Sequence, residues 1–142
     1  MIKNERQYST TKAQAQKLEK ALAQAAQRPP TRKVHPLLRK AEEDALRSQL
    51  RDLHAEIREY EALRSGDRKA LLHTSLDQLP RTLIQARIAV GLSQRELAER
   101  LGLKEQQIQR YEATNYASAS LTRVQQVAQA LGLRLRANAI VA

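Results

Sequence analysis

The chain has 142 residues, room for one ordinary domain or for a small domain with an accessory module. Lys and Arg total 25 against 15 Asp and Glu, and this net charge of +10 makes an anionic partner the natural expectation, nucleic acid first. The absence of cysteine excludes disulfides, thiolate metal sites and a cysteine nucleophile, and four Tyr as the only aromatic residues disfavour an RNA-recognition sheet built on stacked rings.

Charge alone does not choose among DNA, RNA and acidic lipid. No apolar run approaches the ~18 residues that suggest a membrane span. The N-terminus, with Lys3, Glu5 and Arg6, has no apolar core like that of a signal peptide. A cytoplasmic protein is the expectation. Ala, Leu, Gln, Arg and Glu dominate, so the chain reads as all-α with a core of Leu, Ile, Val and Ala.

The first helix is expected over residues 10 to 27. Ala15, Leu18, Leu22 and Ala25 recur at steps of three and four, and Pro29 and Pro30 end the pattern. A basic connector follows, with Arg28, Arg32 and Lys33. The second helix is expected from Pro36 to Arg64, with Pro36 suited to a first turn and Gly66 to a stop. Leu46, Leu50, Leu53, Ile57, Tyr60 and Leu63 form the seam of a coiled coil or helical hairpin. The two stripes can pack antiparallel within one chain, and the longer second stripe leaves surplus apolar surface for a partner. Residues 1–73 thus form an N-terminal helical region, a dimer arm or a partner-binding module. Its basic residues are either a solvated face or a further contact to phosphates.

Residues 74–132 carry the stronger signal. In "QRELAERLGLKEQQIQRY", Gln94 to Tyr111, Ser93 and Glu96 form an S-x-x-E capping box just before the first helix. Leu97 and Leu101 supply a buried face, and Gly102 can take the positive φ of a tight turn. A second short helix is expected over Lys104 to Tyr111, with Ile108 and Tyr111 on its inner face. Two helices joined by a three- to four-residue turn cross near a right angle. Their contact needs a small residue, which is Ala98, opposite an aliphatic one, Ile108. A plain helical hairpin is the less specific alternative.

The segment "GLSQRELAERLGLKEQQIQRYE" resembles the Xre or lambda-repressor-like helix-turn-helix domains, over about residues 76 to 133. A helix before the motif, "LPRTLIQARIAVG", and one after it, "SLTRVQQVAQALG", fit that resemblance. It implies a core of Leu83, Ile88, Leu92, Leu97, Leu101, Ile108, Leu121, Val124, Val127 and Leu131. It also implies double-stranded DNA as partner. Base reading would fall to Glu105, Gln106, Gln107 and Arg110, since Gln can make a bidentate contact to adenine, Arg to guanine, and Glu can accept from cytosine. Phosphate contacts would fall to Gln94, Arg95, Lys104, Gln109 and Asn115, with Gln94 acting through its side chain and the helix N-terminus. Arg87 and Glu112 would form a structural salt bridge. Lys104 departs from the usual Ser or Thr cap, and the loop "ATNYASAS" lacks the usual Gly and Pro. There Asn115 can turn left-handed, and Ser118 or Ser120 can cap.

After Gly132 the pattern alternates. Leu133, Leu135, Ala137 and Ala139 fall on one side and Arg134, Arg136 and Asn138 on the other, which reads as a short C-terminal β-strand. Residues 133–142 are thus expected to pair with a second copy across a twofold axis, a layout similar to HipB-type and HigA-type antitoxins. A frayed tail is the alternative.

No enzyme, cofactor or metal is expected. His35, His54 and His73 lack metal-ligand spacing, His54 and Glu56 cannot share a helix face, and no glycine loop resembles a phosphate cradle. Two functions fit: a repressor binding a palindromic operator as a homodimer, or an antitoxin whose N-terminal helices neutralise a toxin while the other half autoregulates its operon.

Overall fold

The computed structural model describes residues 1–29, 34–71 and 75–135. The described residues form six α-helices: α1 (Glu5–Gln27), α2 (Pro36–Arg64), α3 (Leu79–Ala89), α4 (Gln94–Arg100), α5 (Glu105–Ala113) and α6 (Leu121–Ala130). Short 3-10 turns lie at Lys69–Leu71 and Leu76–Gln78. The chain divides into two compact units, Met1–Tyr60 and Glu61–Ala142, and α2 runs through the division.

In the first unit α1 begins five residues earlier than its apolar stripe suggests. The cause is a local cap. The Asn4 side chain accepts from the Gln7 backbone N–H at 2.9 Å, and Gln7 Oε1 accepts from Lys3 N–H at 2.8 Å. These bonds satisfy amides that a helix start leaves without partners. α1 and α2 lie antiparallel. The Tyr8 and Tyr60 rings are 5.1 Å apart, Glu19 Oε1 is 3.1 Å from His54 Nε2, and Arg39 donates to the Arg28 carbonyl at 2.8 Å. The Met1 ammonium lies 3.3 Å from Glu56. Ala15, Ile57 and Tyr60 are buried, whereas Leu18, Leu22, Leu46, Leu50 and Leu53 are only half-buried. The seam is therefore a thin hairpin contact with apolar surface left over.

The second unit is built around α3. Every residue from Thr82 to Ala89 is buried, including Thr82, Gln85 and Arg87. Periodicity alone does not show this, because a helix enclosed on all sides has no polar face to set the phase. α4 packs on both α5 and α6. Among the described residues Leu83, Ile84, Leu97, Ile108 and Val127 are the large apolar side chains that are fully buried. Leu121, expected in the core, is 69% exposed. It occupies the first position of α6, nearly in line with Ala128 seven residues on, but at the outer end of that face, where it lines an open groove with Leu76, Leu79 and Tyr116.

The expected fold class needs one correction. The described residues contain no strand. Leu133 to Leu135 run as irregular chain, with Leu133 half-buried and Leu135 46% exposed. Gly132 takes φ +70° after the end of α6, and the Leu133 N–H donates to the Ala128 carbonyl at 2.9 Å. That helix-terminating bond uses the first backbone donor of the supposed strand locally, as such C-terminal turns do. Ala137 and the rest of the expected dimer strand lie outside the described residues. Alternating side chains describe a pattern; a strand also needs a ladder, and none is present among the described residues.

Candidate nucleic-acid interface

The turn between α4 and α5 follows from three local features. Ser93 Oγ accepts from Glu96 N–H at 3.1 Å, and Glu96 Oε2 accepts from Ser93 N–H at 2.7 Å, closing the capping box. These bonds hold the Glu96 carboxyl below its usual range, because the Ser93 amide and hydroxyl both stabilise the charged form. Gly102 takes φ +64°, and the Leu103 N–H reaches back to the Ala98 carbonyl at 2.8 Å. Ala98 and Ile108, 1% and 0% exposed, fill the crossing.

A buried polar cluster fixes both helices to α3. Arg87 Nε and Nη2 meet the two Glu112 oxygens at 2.5 and 2.8 Å, and Arg87 Nη1 donates to the Leu92 carbonyl at 2.7 Å. Gln94 Nε2 donates to Glu112 Oε2 at 2.7 Å. Glu112 is completely buried and Arg87 nearly so. One carboxylate near the end of α5 thus collects donors from α3 and from the first residue of α4. A bidentate guanidinium pair of this kind sets orientation as well as position.

On α5 the exposed side chains are Glu105, Gln106, Gln109, Arg110 and Ala113. Gln109 Nε2 donates to Glu105 Oε1 at 3.0 Å across one turn. Gln107 is half-buried and turned back, its Oε1 accepting from the Lys104 N–H at 3.1 Å. This is one half of a capping box. The other half would need an acceptor on the cap side chain, and Lys has none. Lys104 itself is exposed.

The remaining expected positions divide in two. Arg95 is exposed and pairs with Glu99 at 3.0 Å, and Asn115 is exposed with φ +48°. Gln94 is 8% exposed, with its amide nitrogen facing inward to Glu112. Sequence reasoning missed that inward role, since a contact between residues eighteen apart leaves no local signature.

Tyr116 was also missed. It follows Asn115 with φ +58°, is 4% exposed, and stacks on Tyr111 with ring centroids 6.0 Å apart. A bulky residue in the left-handed region is unusual, and burial of the ring offsets the cost. Its hydroxyl is buried without a hydrogen-bond partner, and burial, reinforced by the Glu112 charge, pushes the phenol well above its ordinary range. Ser120 then caps α6, accepting from Arg123 N–H at 3.2 Å.

No helix among the described residues is long and apolar enough to cross a membrane. No curated protein and no solved structure was found to match the chain. Residues 83–137 match the model of a helix-turn-helix family, and this segment holds α4, the Gly102 turn and α5.

Proposed function

We propose that the chain is a sequence-specific transcriptional repressor that binds a palindromic operator in double-stranded DNA as a homodimer. The observation that carries this reading is the outer face of α5. It is polar, it offers Gln106 and Arg110 one turn apart, and Arg87–Glu112 anchors it from beneath. Amide and guanidinium groups are the side chains suited to bidentate contacts with adenine and guanine in the major groove. Glu105, held by Gln109, discriminates against misplaced phosphates and can accept from cytosine. Gln107, at the margin, reads only by giving up its bond to the Lys104 amide. Arg95, Lys104, Gln109 and Asn115 contribute phosphate contacts, and Gln94 does so through the N-terminus of α4.

One recognition helix reads a few base pairs. Two copies about 34 Å apart read two half-sites on one face of the duplex. The half-buried leucines of α2 are the candidate contact between copies. In this reading residues 74–132 are the DNA-binding domain and 1–73 the arm. Selection from a randomised duplex pool followed by sequencing tests the proposal. An enriched inverted repeat supports it, and a pool with no enrichment removes it.

A second reading is supported by the exposure of Leu37 (71%) and Leu38 (55%) in the first turn of α2. Surface of this kind suits a protein partner. In that case the arm neutralises a toxin while the helix-turn-helix domain represses the operon that encodes both. Purification from the native host distinguishes the two. A stable protein partner retained after removal of residues 74–142 favours the antitoxin.

A further inference from the structure

The basic charge of α2 is not scattered. Lys40, Arg47, Arg51 and Arg58 recur at steps of seven, four and seven, and all four are exposed. At 3.6 residues per turn these steps place them within a wedge of about 40°, in a row about 27 Å long. Among the described residues no carboxylate pairs with Lys40, Arg51 or Arg58. Arg47 has only Glu43, at 3.8 Å and one turn back. Arg47 and Arg51 line a shallow groove with Asp44, Leu50 and His54, and Glu19 already meets His54. The apolar seam through Leu46, Leu53 and Ile57 lies on another face of the helix.

From this arrangement we infer that the cation row of α2 is a second contact to duplex DNA, directed at the phosphate backbone and independent of base sequence. Four unpaired or weakly paired cations along a rigid helix match a regular polyanion. Binding there needs only spaced positive charge, with counterion release as its driving force. An acidic protein surface fits less well. Stable protein interfaces use Arg together with a fully buried aromatic or apolar core, and the row has no aromatic residue and only the half-buried Leu50 beside it. The inference goes beyond base reading by α5 and does not depend on it.

The test uses the full chain and a mixed-sequence duplex of about 40 base pairs, with affinity measured by fluorescence anisotropy between about 50 and 200 mM KCl. In the K40Q/R47Q/R51Q/R58Q variant the slope of log affinity against log salt becomes shallower by at least about 2, out of a maximum near 3.6 for four phosphates. The charge-retaining R47K/R51K/R58K variant keeps the wild-type slope, which separates loss of charge from loss of fold. Gln106→Ala also leaves this slope unchanged, so failure of base reading and failure of the cation row are distinguishable. A glutamine variant whose slope stays within about 0.5 of wild type overturns the inference. So does one that keeps duplex binding while losing affinity for poly-glutamate, since the row would then serve an acidic polypeptide.

Discussion

The side-chain amide of Gln94 donates to Glu112 Oε2 at 2.7 Å, tying the first residue of α4 to the end of the helix that presents Gln106 and Arg110. Glu112 already holds Arg87 through both oxygens. Three helices therefore meet on one buried carboxylate. The cluster adds directional bonds to the packing at the α4–α5 crossing, where Ala98 and Ile108 are buried.

Glu112→Ala leaves the Arg87 guanidinium buried without its counter-ion. The expected loss is about 3–5 kcal/mol of folding stability, read by urea denaturation. Gln94→Ala removes the hydrogen bond to the charged Glu112 and costs less, about 1.5–3 kcal/mol. If Gln94→Ala leaves stability unchanged and weakens only DNA binding, its side chain works outward and the inward role is wrong.

The capping box makes a prediction that depends on pH. Ser93→Ala is expected to cost about 1 kcal/mol. The lowered pKa of Glu96 means that the folded state binds its proton less readily than the unfolded chain. Its contribution is therefore present above the ordinary carboxylate pKa and is lost as pH falls through the lower folded value. Thermal melts of wild type and Glu96→Gln should differ at neutral pH and converge in acid. A constant difference down to strongly acidic pH contradicts this.

Tyr116 has the opposite linkage. Its phenol is raised above the ordinary value of 10.0, so the unfolded chain ionises first as pH rises. The folded state then holds the extra proton, and stability falls above that pH. Tyr116→Phe should remove this alkaline sensitivity. At neutral pH it should be neutral or slightly stabilising, because the hydroxyl it removes has no partner. A substantial loss of stability at neutral pH would show that the hydroxyl is satisfied in solution.

Gly102 takes φ +64° with open space where a Cβ would lie, so Gly102→Ala meets a backbone cost without a clash. The expected destabilisation is about 1–2 kcal/mol by chemical denaturation. A variant as stable as wild type would mean that the turn relaxes to another geometry.

The features readable from sequence were the local ones. Ser93 and Glu96, Gly102, Ser120 and Pro29 just after α1 act within a few residues of where they stand. Their physics is contained in their spacing. The start of α1 was readable in the same way, as Asn4 followed three residues later by Gln7, but the apolar stripe that begins at Ala15 drew the boundary inward. Tertiary features were not readable from spacing. Gln94 meets Glu112 only when α3, α4 and α5 are assembled, and the exposure of Leu121 depends on what fails to cover the start of α6. The alternation from Leu133 was misleading because side-chain period two says nothing about backbone partners. Of the four positions expected on the outer face of α5, Glu105, Gln106 and Arg110 are exposed. Gln107 is the difference, drawn aside by an amide that Lys104 cannot cap.

The central claim, that α5 reads base sequence, is tested most directly by comparing Gln106→Ala and Arg110→Ala with wild type on the selected duplex and on mixed-sequence DNA at one salt concentration. Each substitution should cost about 1–3 kcal/mol on the selected site and little on mixed sequence, reducing the specificity ratio. Equal losses on both duplexes, with the ratio preserved, would contradict it.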